Sequence, residues 1–211
     1  MDQLDQVVET AGPLLRRVDD VLAAAGAPGG HGVWAQLRRV RLLPADAVCA
    51  VAALRPAALA DAVPELRATA REYAAVAATL PVTEDWSGEA ADAYDALRDQ
   101  LADHLGNGLV DRLRATSDLA EAITHWMQDC RSDLAAILAE VLGSVEAVAL
   151  AGAGSPADGT RGVPGSDAIG AAADIAVRVL RTVADGQDRG AALMRGSAGL
   201  TAVQPVVSAG R

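Results

Sequence analysis

Apolar residues at Leu4, Val8, Ala11, Leu15, Val18, Leu22 and Ala25 keep an unbroken alternation of four- and three-residue steps. That spacing lays one apolar stripe along a helix and predicts packing against other helices. Gly12-Pro13 falls inside it. Proline lacks an amide donor and crowds the preceding turn, so a kink or a division is expected there. The composition of "GAPGGHG", residues 26–32, reads as a loop. The stretch "VWAQLRRVRLLP", residues 33–44, fits either a short helix or an extended connector. Residues 45–80 read as helix, restarted at Pro56 and Pro64. From residue 59 the stripe is regular, through Leu59, Val63, Leu66, Ala70, Tyr73, Ala77 and Leu80, until Pro81 stops it.

Helical patterning resumes after "PVTEDWSG", residues 81–88, and runs to about residue 150. Its first part carries Ala90, Leu97, Leu101 and Leu105, and then Gly106-Asn107-Gly108 intervenes. Two glycines cost a helix about 2 kcal/mol together, which predicts a break or sharp kink. Farther on, Trp126, Cys130, Leu134, Ile137, Val141, Val145 and Val148 repeat every eleven residues, a period that suits nearly straight packing. Residues 59–80 and 90–105 are thereby expected to form antiparallel arms, packed through Leu59, Val63, Leu66, Tyr73, Leu80, Leu97 and Leu101.

"AGAGSPADGTRGVPGS", residues 151–166, has linker composition. Ile169, Ala172, Ala176, Val179 and Val183 mark a C-terminal helix over 167–185, ended at Gly186, with residues 186–211 as a tail. The fold class that follows is all-α, a long antiparallel hairpin with additional N- and C-terminal helices. Residues 1–150 are its helical domain.

Composition agrees with a helical chain. Half of the residues are apolar, with alanine prominent, only five aromatics and no phenylalanine. Alanine loses no side-chain entropy in a helix, and small side chains make thin, close-packed cores. Every lysine-or-arginine position is arginine, a bias that points to a GC-rich genome of the actinobacterial kind. The net charge of −10 sits in the middle of the chain, where residues 61–150 hold 17 acids against six arginines. That argues against nucleic acid or an anionic membrane surface as partner. No apolar run approaches the roughly 18 residues of a membrane span, and the acidic N-terminal stretch does not resemble a secretory signal.

Candidate chemistry is sparse. Cys49 and Cys130 stand too far apart in sequence for a metal or redox motif and read as small buried thiols. Arg38, Arg39 and Arg41 cluster without interleaved aromatics, which makes a solvated face rather than a nucleic-acid site. His125 and Asp129 share a helix face, and Asp92, Asp95, Asp99 and Asp103 form an acidic stripe. Either set has the geometry to touch one cation, but an ordinary surface pair and a solvated face account for them more simply. The glycine-rich stretches lack the lysine and preceding strand of a phosphate loop. Neither an enzyme nor a cofactor or metal site is expected.

Trp86-Ser87-Gly88, placed between a helix ended by Pro81 and a helix opening with "EAADAY", resembles the turn of the WXG-type proteins of type VII (ESX) secretion systems. The resemblance covers residues 45–150; the terminal regions lie outside it and fit the longer, atypical relatives. It implies a non-catalytic substrate of such a system, or a chain that pairs with one. The implied partners are another helical-hairpin chain, as hetero- or homodimer, and the secretion machinery, with no nucleic acid and no membrane insertion. It also implies synthesis in the cytoplasm followed by export along a route that needs no signal peptide. One departure weakens the export half: Tyr73 is followed four residues on by Ala77 and Tyr94 by Arg98, so neither forms the family's Tyr-x-x-x-Asp/Glu signal. A cytoplasmic helical adaptor or antitoxin-like binding module is the competing reading.

Overall fold

The computed structural model describes residues 2–82, 86–152 and 164–197. Among them all regular structure is helical: α1 (Gln3–Ala25), α2 (Val33–Val40), α3 (Pro44–Ala52), α4 (Pro56–Ala60), α5 (Ala62–Ala78), α6 (Glu89–Asp103), a π-helical segment (His104–Val110), α7 (Asp111–Leu142), α8 (Val145–Gly152) and α9 (Ser166–Gly196). The all-α expectation holds. The chain forms two compact units, one from Met1–Leu54 and Trp126–Ala191, the other built around Arg55–His125.

The first unit is organised on α9. Ala172, Ala173, Ile175, Ala176, Val179, Leu180 and Ala184 are all fully buried. A helix buried on so many sides belongs in the middle of a core. Alanine permits it, because neighbouring backbones then approach closely. Around it pack Leu4, Leu15 and Val18 of α1 and Leu134, Leu138 and Val141 of α7. Gly186 does not end α9, which continues to Gly196. Its missing side chain serves close packing, as described below. Pro13 likewise does not divide α1. The single hydrogen bond it forfeits is outweighed by burial of Ala11, Leu15 and Val18 on either side. The 33–44 ambiguity resolves as a short helix, α2, ended by Arg41 in the left-handed region at φ 60°.

A buried arginine ties three elements of this unit together. Asp2 caps α1, accepting from the Asp5 amide at 3.2 Å while the Asp5 carboxylate accepts from the Asp2 amide at 3.3 Å. The same carboxylates receive Arg131 of α7, at 2.6 Å to Asp2 and 2.8 Å to Asp5. Its Nη1 reaches the carbonyls of Ala52, the last residue of α3, and of Leu54 just past it. Arg131 is only 5% exposed, yet its planar donor set is well supplied with acceptors. Its hydrogen bond, more than its charge, holds the Asp2 carboxyl down at about pKa 2.

The stripe read along α7 ends earlier than its sequence period. Cys130, Leu134 and Val141 are buried, but the helix stops at Gly143-Ser144, and Val145 and Val148 of α8 are 79% and 72% exposed. Rotation at that break turns them outward, so α8 buries Ala147 and Leu150 instead. One 18-residue window within Pro44–Ala78 reaches a mean hydropathy of 1.4, enough by length and composition for a membrane span, which corrects the sequence reading. That stretch is three helices, with turns at Ala53–Arg55 and Asp61. The sequence-predicted linker falls mostly outside the described residues.

Candidate functional site

The second unit is a hairpin of α5 against α6, the π segment and α7 up to His125. Two contacts fix its sense. Near the turn the Tyr94 hydroxyl donates to the Pro81 carbonyl at 3.3 Å, and farther down Arg67 pairs with Glu121 at 2.7 Å. Residue numbers thus fall along one arm as they rise along the other. The arms are antiparallel, but their register differs from the sequence reading. Arg67, next to Leu66, reaches Asp118 and Glu121, beyond residues 97–105, because the second arm continues helically through the glycines.

No break occurs at Gly106-Asn107-Gly108. The backbone stays helical there by widening into the π-helical segment His104–Val110, and neither glycine takes a positive φ. A π segment absorbs extra residues without ending the helix. The Asn107 amide donates to Asp103 at 2.6 Å across the junction.

The Trp-x-Gly turn has a definite geometry on its described side; residues 83–85 lie outside the description. Gly88 takes φ +113°, a conformation that a side chain would strain. That backbone lets its carbonyl accept the amides of Ala91 at 2.9 Å and Asp92 at 3.1 Å, starting α6. Trp86 leans on Tyr94 with ring centroids 5.9 Å apart, yet remains 47% exposed. Ser87 is exposed and makes no cap bond to α6.

The predicted packing residues divide into two groups. Val63 is buried and Leu59, Leu66 and Leu80 are half-buried. Tyr73, Leu97 and Leu101 are 39%, 64% and 45% exposed, so they do not form the interior. The interior is made instead by Ala70, Ala91, Val110 and Ala120. Small residues win because the arms approach too closely for leucine at those positions. By helical periodicity, Tyr73 and Val76 of α5 point to the same side of the hairpin as Leu97 and Leu101 of α6. Asp92, Asp99 and Asp103 project to the other side. The hairpin thus presents an apolar face, with the acidic residues of α6 turned to the other side.

The other candidates are accounted for locally. Asp95 and Asp99 both bind Arg98, each at 2.7 Å. No cluster of three or more potential metal-ligating side chains exists among the described residues. Arg39 pairs with Asp185 at 3.3 Å and with Asp188. His31 binds Asp174 through Nε2 at 3.2 Å, while its Nδ1 accepts the Val33 amide at the start of α2. Cys49 is exposed, against expectation, and Cys130 is buried; both are free thiols.

Sequence reasoning missed one close approach in the first unit. The Trp126 indole donates to the Gly186 carbonyl at 2.8 Å. A Cβ at Gly190 would lie 2.7 Å from that ring, and one at Gly186 would lie 2.9 Å from the Cys130 sulfur. The Gly-x-x-x-Gly spacing was the available signal, concealed by reading the first glycine as a helix stop. Comparison with family models, curated proteins and solved structures finds no match to this chain.

Proposed function

We infer that the protein is a non-catalytic, WXG-type substrate or pairing partner of a type VII secretion system. The observation that carries this reading is the exposed apolar face of the hairpin, continued toward its tip by Trp86. Tyr73, Val76, Leu97 and Leu101 are large apolar side chains gathered on one side of two antiparallel helices. Contiguous apolar surface of this kind marks an interaction site in a chain that must stay in solution. A second helical hairpin of another chain fits it, since two antiparallel helices offer a matching pair of ridges. Gly88 supplies the backbone conformation that presents Trp86, which accounts for the Trp-x-Gly spacing in physical terms.

The missing tyrosine signal gives the partner a second task. A co-folded chain bearing Tyr-x-x-x-Asp/Glu supplies the export signal, and this chain travels with it. The test is expression with and without the neighbouring genes in a strain with an active type VII system. Export is expected only with a neighbour, and Trp86→Ala is expected to reduce it about tenfold, equivalent to a loss of ~1.4 kcal/mol in recognition. Efficient export of the chain alone would overturn the reading, as would partner-dependent export unchanged by Trp86→Ala.

A further inference from the structure

The first unit contains a cavity of about 160 Å³, bounded on one side by Leu42, Val51 and Leu54 and on the other by Trp126, Cys130 and Leu134. Gly186 forms part of its wall, where any side chain would collide with the Cys130 sulfur. We propose that this cavity is a binding site for a small uncharged apolar molecule, a single aromatic ring or a short alkyl chain. The inference is independent of the hairpin and of the export reading.

Three properties of the walls select that ligand class. None of the lining residues carries a formal charge. The nearest cation, Arg189 beside the Cys130 sulfur, is already paired with Asp133 at 2.6 Å, so an ionic ligand entering here would lose hydration without a free counter-ion, which disfavours carboxylates and amines alike. Two of the polar side chains beside the cavity are already engaged, and Gln187 is exposed to solvent. The Trp126 indole N–H donates to the Gly186 carbonyl at 2.8 Å, and the Thr182 hydroxyl donates to the Arg178 carbonyl at 3.2 Å. Water needs two to four polar partners to reside in a cavity, and these walls offer few. Size sets the upper limit: an apolar cavity of about 150 Å³ accepts benzene or xenon, so a ligand of roughly six to nine carbon atoms fills this one. The thiol at its edge stays protonated, because burial raises the Cys130 pKa. The site therefore binds its ligand without attacking it.

Trp126 is a built-in reporter. In protein carrying ¹⁵N-labelled tryptophan, the three indole N–H resonances are assigned with Trp→Phe variants and followed during titration with benzene, indole and 1-hexanol. Saturable shifts of the Trp126 resonance alone are expected, with Trp34 and Trp86 unmoved. Benzoate and benzylamine, of similar shape but charged, are expected to bind at least tenfold more weakly than benzene. Ala50→Phe and Gln187→Trp place bulk at exposed positions of the mouth, where folding tolerates it, and each is expected to abolish the shift while the melting temperature is kept. No saturable shift with any of the three neutral probes would overturn the proposal. So would equal binding of benzene and benzoate, or full binding by both blocked variants.

Discussion

Among the described glycines, Gly190 leaves the least room for a side chain, because the Trp126 ring lies against it. A methyl group at residue 190 would sit 2.7 Å from the indole, well inside van der Waals contact. Gly190→Ala is therefore expected to destabilise by about 1–3 kcal/mol, as overpacking does, despite alanine's better helix propensity. A melt showing equal or higher stability would mean that the ring moves aside freely. Asp19 makes a different prediction. Burial lifts its pKa to about 6, opposed by the Ala45 amide that it accepts and assisted by Asp46 and Asp20. The fold thus holds this proton more tightly than the unfolded chain, whose value is 3.8. Its contribution is most favourable below pH 3.8, falls as pH rises to about 6, and stays unfavourable above that. Asp19→Asn keeps an acceptor for Ala45 and should stabilise the protein at pH 7.5 but much less at pH 4. Denaturant midpoints at the two pH values check this, and equal gains at both would refute it.

Gly106 and Gly108 lie within a helix that does not need them. Both have helical backbone angles, and their added Cβ atoms would meet nothing closer than 3.7 Å, the His104 ring beside Gly108. Replacing both with alanine should raise helicity and stabilise by about 1–2 kcal/mol, read by circular dichroism and thermal melting. Unchanged stability would indicate that the π segment depends on glycine. This is also where local sequence rules reached their limit. Element type was legible in the long helices, since the 3.6-residue period is written in the apolar spacing of α1, α5 and α7, but not over residues 33–44, where a helix and a connector fitted equally. Register was not. A leucine stripe on α6 looks like a packing face, yet alanines occupy the interior and the leucines stand outside, because the depth of a thin core depends on how near the other helix comes. Of the proposed docking face, Trp86, Tyr73, Leu97 and Leu101 were visible in the sequence, whereas their exposure was not.

Sequence order also concealed how the chain is shared between its two units. The C-terminal helix, read as an appendage, is the centre of the first unit, and the first unit draws on residues 1–54 and 126–191. The chain leaves this unit at Leu54 and returns at Trp126, two residues that line the same cavity. A short Gly/Ser linker replacing residues 55–125 should therefore leave a cooperatively melting protein. Truncation after residue 150, which removes α9, should leave none. Chemical denaturation of the two variants distinguishes these outcomes, and a folded truncation product would contradict the role given to α9.

That discontinuity has a consequence for synthesis. The first 54 residues leave the ribosome well before the helix on which they pack. At roughly 5–20 residues per second their wait lasts on the order of 10 s. The hairpin, made entirely within that interval, is complete first. Any chaperone or nascent-chain partner thus meets a finished hairpin joined to an unsatisfied N-terminal arm. The turn at Trp86 is open to recognition before the rest of the protein has a core.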